Sequence, residues 1–145
     1  MTHNDLPPAT PPGAILEAAI YVDDLDAART FYRDLVGLEL FQDVEGRHLF
    51  FRLGATVLLV FHPDRTEQPP TNARMPVPPH GGRGPGHVCF ALPREGIEAM
   101  ATRLEAAGTP VDVAFDWPNG ARSLYVRDPA GNSIEFAEPW LWDEA

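Results

Sequence analysis

Glu135 stands where a carboxylate needs a reason, because the run Ser133-Ile134-Glu135-Phe136-Ala137 otherwise reads as an apolar strand. Side chains alternate faces along a strand, so Ile134 and Phe136 share one face while Ser133, Glu135 and Ala137 share the other. Two further residues with lone pairs to offer occupy comparable settings. Glu17 lies within Ala14-Ile15-Leu16-Glu17-Ala18-Ala19-Ile20-Tyr21-Val22, and His87 opens His87-Val88-Cys89-Phe90-Ala91-Leu92. Two oxygen donors and one nitrogen donor suit an octahedral Mn, Fe, Ni, Co or Mg ion, or Zn, with positions left open. They do not suit a structural zinc site built on thiolates. Taken singly, each has a plainer reading: a satisfied core histidine, a carboxylate paired with a linker arginine, a solvated strand residue.

Stepping outward, Asp128-Pro129-Ala130-Gly131-Asn132 is dense in turn formers and predicts a tight connection between antiparallel strands at 122–127 and 133–137. Upstream, Asp23-Asp24-Leu25-Asp26 reads as a helix start, and Leu25, Ala28, Tyr32, Leu35 and Val36 recur at helical spacing until Gly37. Short strands are expected at 38–42, 48–53 and 56–61. The run 68–86 is rich in Pro, Gly, Arg and His and reads as a linker. Beyond it a strand from His87, a helix carrying Ile97, Met100, Ala101 and Leu104 up to Gly108, and three strands repeat the first pattern. Glu17 precedes Gly37 by 20 positions and His87 precedes Gly108 by 21, which makes the two residues equivalent. Superposing the closing strands through Gly54 and Gly131 places Leu58 opposite Glu135.

The chain has 145 residues, enough for one domain or two halves sharing a core. We expect a disordered lead-in over 1–13 and a single domain over 14–145, divided into module one (14–67), linker (68–86), module two (87–138) and a tail (139–145). The single Cys89 excludes an internal disulfide and suits a reducing, cytoplasmic setting. No stretch reads as a signal peptide or membrane span. A net charge of -10 argues against nucleic acid as a partner and is compatible with a metal or a cationic ligand.

Four stretches carry a resemblance: Ala18-Ala19-Ile20-Tyr21-Val22-Asp23-Asp24-Leu25, Phe31-Tyr32-Arg33-Asp34-Leu35-Val36-Gly37-Leu38, Gly84-Pro85-Gly86-His87-Val88-Cys89-Phe90, and Ser123 through Glu135. The sequence resembles the vicinal-oxygen-chelate superfamily of glyoxalase I, fosfomycin-resistance thiol transferases, extradiol dioxygenases, methylmalonyl-CoA epimerase and bleomycin-resistance proteins. The resemblance implies an α+β fold of two paired βαβββ modules forming an open, cupped mixed sheet with helices outside. It also implies a divalent metal, a small-molecule substrate and a homodimer with sites near the protomer interface.

His87 and Glu135 match the superfamily's second-half ligands. The first-strand ligand, usually His or Gln there, is Glu17 here, which disfavours a dioxygenase triad of two histidines and one carboxylate. Glyoxalase I keeps a glutamate on the last strand of its first half, where this chain is expected to have Leu58. The threonine of fosfomycin transferases is replaced by Ala19. The resulting expectation is a metal-dependent lyase, isomerase or transferase of glyoxalase type, with Glu17 as ligand or base and the Tyr125 hydroxyl orienting substrate. Tyr21, Phe41, Phe50, Trp117, Ser123 and Arg83 complete the expected pocket. The alternative is a non-catalytic protein that sequesters a cationic drug, as bleomycin-resistance proteins do.

Overall fold

Asp24 starts the first helix by accepting the Ala27 N–H at 3.0 Å, which satisfies one of the free amides of the opening turn. In the computed structural model, which describes residues 2–143, this helix α1 spans Leu25–Arg29. Met1 of the expected lead-in and the last two residues of the expected tail lie outside the described residues. The helix widens into a π-helical stretch over Thr30–Leu35, where the Val36 N–H reaches back five residues to the Phe31 carbonyl. Gly37 then takes φ +90°, the left-handed conformation that its lack of a Cβ permits.

Strand β1 (Glu17–Tyr21) precedes α1, and β2 (Glu39–Val44), β3 (His48–Leu53) and β4 (Thr56–Phe61) follow it. A single turn, α2 (Pro63–Thr66), leads into the linker. The second half repeats the order as β5 (His87–Ala91), α3 (Arg94–Ala106), β6 (Val113–Asp116), β7 (Arg122–Arg127) and β8 (Ser133–Ala137). Helix α3 ends in a Schellman motif, with Thr109 N–H bonded to Leu104 O and Gly108 N–H to Glu105 O. Each half is a four-stranded mixed sheet, ordered β1-β4-β3-β2 and β5-β8-β7-β6. The strand beside the centre runs parallel in both, β1 with β4 and β5 with β8.

One face of each sheet joins a common core. Ile20, Leu49, Phe51, Leu58 and Val60 from the first module meet Phe90, Leu124, Val126, Ile134 and Phe136 from the second, together with Phe31, Tyr32, Ile97 and Leu104 from the helical segments. The other face of each sheet stays open. Pairing registers correct the expected superposition at this point. Glu17 pairs with Val57 and His87 with Ser133, so two residues further on Ala19 pairs with Leu59 and Cys89 with Glu135. The counterpart of Glu135 is therefore Leu59, not Leu58. The glycines mislead because β3 and β4 are joined through Gly54 and Ala55, whereas five residues separate Arg127 from Ser133.

The longer connection locks the modules together. Buried Asp128 accepts from the Ala130 and Asn132 amides through Oδ1, and from the Tyr32 hydroxyl at 2.6 Å and Asn132 Nδ2 through Oδ2. Asn132 in turn donates to the Tyr21 carbonyl at the end of β1 and accepts from Gly86 N–H at the start of β5. One turn thus holds an element of each half in register with the strand that carries Glu135.

Candidate functional site

On the open face of module two, β5, β8 and β7 place His87, Glu135, Tyr125 and Ser123 side by side. Tyr125 is the cross-strand partner of Glu135, and Ser123 stands two residues further along β7, opposite Ala137. Glu135 is only 5% exposed. Its Oε2 accepts the Ser123 hydroxyl at 2.6 Å, and Ser123 Oγ accepts the Trp117 indole N–H at 2.8 Å. Its Oε1 lies 3.3 Å from His87 Nε2. His87 Nδ1 donates to the Ser133 carbonyl at 2.9 Å, which leaves Nε2 as the nitrogen that faces Glu135. A backbone carbonyl fixing the far nitrogen is the usual support of a metal-binding histidine. Two donors about 3 Å apart also match the edge of a coordination polyhedron with bonds of about 2.1 Å. The pair fits a divalent ion.

The surrounding groups stay protonated. Burial, reinforced by the Glu135 carboxylate, pushes the Cys89 thiol up to about 12, and the same two causes push the Tyr125 phenol up to about 12. Cys89 is therefore a poor nucleophile at neutral pH, while Tyr125 remains a hydrogen-bond donor. Tyr125 is also stacked between His87 and Phe115, and Phe115 packs on Trp117, so the expected residues Ser123, Tyr125 and Trp117 line one continuous wall.

The other expected residues belong to module one. Glu17 is exposed, has no side-chain hydrogen bond among the described residues, and stands on the open face in a row with Val57 and Arg52. Among the described residues no three His, Cys, Asp or Glu side chains converge within this one chain, so Glu17 does not join His87 and Glu135 here. Tyr21, Phe61, His48 and Phe50 share that open face, and a bulge between Leu40 and Gln42 turns Phe41 toward Phe50, 6.3 Å between ring centres. Arg83 is committed elsewhere: it pairs with Asp64 and Glu67 at 2.9 and 2.8 Å and pins the linker to α2.

Sequence reasoning missed a second polar cluster. The Tyr21 hydroxyl lies 2.7 Å from Nδ1 of His80, which the linker folds over Phe61. Gly82 allows this approach, since a Cβ there would stand 2.9 Å from the Tyr21 ring. His48 is 6% exposed, stacked on Phe50, with Nε2 bonded to Gln42 Oε1 at 2.8 Å and Nδ1 to Arg47 Nη1 at 2.6 Å. The alternation His48, Phe50, Arg52 along one strand was the available signal.

Two βαβββ units, each a four-stranded mixed sheet contributing one face to a shared core, define the class of fold. Residues 14–136 match the model of the glyoxalase/bleomycin resistance protein/dioxygenase superfamily, and the chain belongs to that family. The crystal structure of a lactoylglutathione lyase from Agrobacterium tumefaciens is 44% identical, covers 93% of this chain and 100% of its own, and superposes with a TM-score of 0.83. A glyoxalase/bleomycin resistance protein/dioxygenase from Nocardioides is 23% identical, with 94% and 89% of the two chains covered and a TM-score of 0.68. TioX from Micromonospora sp. ML1 is 22% identical, with 87% and 98% covered and a TM-score of 0.65. The latter two show the shared fold alone. No curated protein matches the chain in sequence. No helix among the described residues is long and apolar enough to cross a membrane.

Proposed function

We propose that the chain is a divalent-metal-dependent enzyme of glyoxalase type, acting on a small substrate that offers two neighbouring oxygens. The observation that carries this reading is the His87 and Glu135 pair, converging at 3.3 Å with the far side of each donor already satisfied. The 44% identity to a protein named lactoylglutathione lyase supports it and makes lactoylglutathione the first substrate to try. A resident divalent ion would supply Lewis-acid polarisation of the substrate oxygens.

The chain's own residues do the rest. Ser123 and Trp117 hold Glu135 in one orientation, and the Ser133 carbonyl does the same for His87. Tyr125, kept protonated, donates to a substrate oxygen. Glu17, exposed and unbonded, completes the site as a third donor or as the base that takes the substrate proton. Because one chain does not bring Glu17 to the pair, the reading includes a homodimer in which Glu17 of a second copy faces His87 and Glu135. The bare apolar side chains beside Glu17, Ile15 at 78% and Leu16 at 72% exposed, support such a partner surface. Sequestration of a cationic drug finds less support, since Arg47 and Arg52, without a carboxylate partner among the described residues, lie over Phe61 and Phe41 in module one.

The test is metal content. Purified protein should carry one divalent ion per chain, and Glu135→Ala and His87→Ala should lose it. Coexpressing Glu17→Ala with Glu135→Ala should restore turnover to about a quarter of the sites, whether Glu17 is ligand or base, because random pairing makes half the dimers mixed and each mixed dimer has one intact site. Wild-type protein that takes up no metal on reconstitution would overturn the enzyme reading. A mixture no better than its parents would overturn the shared site.

A further inference from the structure

The chain has no lysine, and its only permanent side-chain cations are 11 arginines. Six of them, Arg29, Arg33, Arg83, Arg94, Arg122 and Arg127, make ion pairs, and Arg103 caps the Asp34 and Leu35 carbonyls. Among the described residues, Arg47, Arg52, Arg65 and Arg74 have no carboxylate partner. Three of these four border the sheet of module one, Arg47 and Arg65 at the turn between β2 and β3 and Arg52 near the far end of β3. Arg52 lies over Phe41, Arg47 lies over Phe61, and an Arg65 guanidinium nitrogen stands 3.4 Å from where a Gly46 Cβ would be. In a protein of net charge -10, a guanidinium that is held in place without a carboxylate partner is suited to an anion from outside.

Arg47 differs from the others in being held. Gln42 Oε1 takes the His48 Nε2–H, which fixes the tautomer whose Nδ1 can accept, and Nδ1 receives Arg47 Nη1 at 2.6 Å. A buried neutral imidazole thus positions a guanidinium without neutralising it, and the remaining donors of that guanidinium have no side-chain hydrogen-bond partner among the described residues. Of the carboxylates close in sequence, Asp43 pairs with Arg29, and Glu45 is exposed in the turn and makes no ion pair among the described residues. Beside Arg47 the face is aromatic, with Phe50 half-buried and Phe41 exposed.

We propose that Arg47, positioned by Gln42 and His48, is an anion-binding subsite for a ligand whose apolar or aromatic body packs on Phe50 and Phe41 and whose carboxylate or phosphate is received by the guanidinium. Arg65 adds charge at the rim. The proposal deepens the enzyme reading by giving the substrate an anionic arm, and it rests on that reading only in taking the open face as the substrate wall. A planar guanidinium held in advance binds such an anion in two-point fashion at little ordering cost.

The probes are benzoate and phenyl phosphate, with benzamide as the neutral match to benzoate, titrated by calorimetry into metal-stripped protein while the Arg47 Nε–H signal is followed by NMR. Benzoate or phenyl phosphate should bind about tenfold tighter than benzamide, and the stronger of the two names the anion. Arg47→Gln should erase the preference. His48→Ala should reduce it, and His48→Gln, which can still accept from Arg47 and donate to Gln42, should restore it; a merely structural histidine would not follow that pattern. Repeating the titration on Glu135→Ala separates the two proposals, since loss of metal with retained benzoate preference leaves the subsite standing. Equal binding of benzoate and benzamide, no saturable binding of either anion, or a preference that survives Arg47→Gln would overturn it.

Discussion

Glu135 owes its orientation to a serine. With Ser123 replaced by alanine, Oε2 keeps its burial but loses its donor, and the Trp117 indole loses its acceptor. Unsatisfied buried groups of this kind cost about 1–3 kcal/mol each, so Ser123→Ala should lower the free energy of unfolding in urea by roughly that amount. It should also weaken metal binding by about tenfold, read by competition with a chromophoric chelator. His48 offers a test in acid. Burial, with Arg47 beside it, lowers its imidazole from 6.5 to about 4 against a weaker opposing pull from Asp43. As pH falls below 6.5 the unfolded chain takes up a proton that the folded chain refuses until about 4, so stability declines across that window. The full effect is on the order of 3 kcal/mol. His48→Gln should flatten the wild-type slope between those limits, measured by urea unfolding at stepped pH.

Among the elements, the connection from Arg127 to Ser133 does more than reverse the chain. Its Asp128 joins Tyr32 on the first helical segment to Asn132, which reaches both Tyr21 and Gly86. Tyr32→Phe removes one donor from a buried carboxylate and should cost about 1–3 kcal/mol. Because this turn sets the position of β8, the loss should also appear as faster amide exchange in 133–137, where a defect confined to α1 would leave those amides protected. The π-helical stretch over Thr30–Leu35 shows why periodicity alone described α1 only in outline. Its apolar residues are legible, but the widened turn is set by packing Phe31 and Tyr32 into a core shared by both halves.

For the whole molecule, a single chain presents two open faces and only two of the three expected donors together. If a second copy completes the site, Leu16→Asp should shift the protein toward monomer in light scattering and lower its metal content, while leaving the circular dichroism spectrum of the fold unchanged. Leu16 is 72% exposed in one chain, so the charge has nothing to disrupt there except an interface. Sequence by itself determined the repeat, the strands at 48–53, 56–61, 122–127 and 133–137, and the helix stops at Gly37 and Gly108. These follow from local rules: alternation along strands, helical spacing, and glycines that take a positive φ. Tertiary structure alone decided that Leu59 rather than Leu58 opposes Glu135, that Arg83 is spent on Asp64 and Glu67 while Arg47 stays unpaired, and that Glu17 stands apart from its expected partners. Each of these depends on strand register or on which side chains meet across the fold, and neither is encoded in the spacing of residues along one strand.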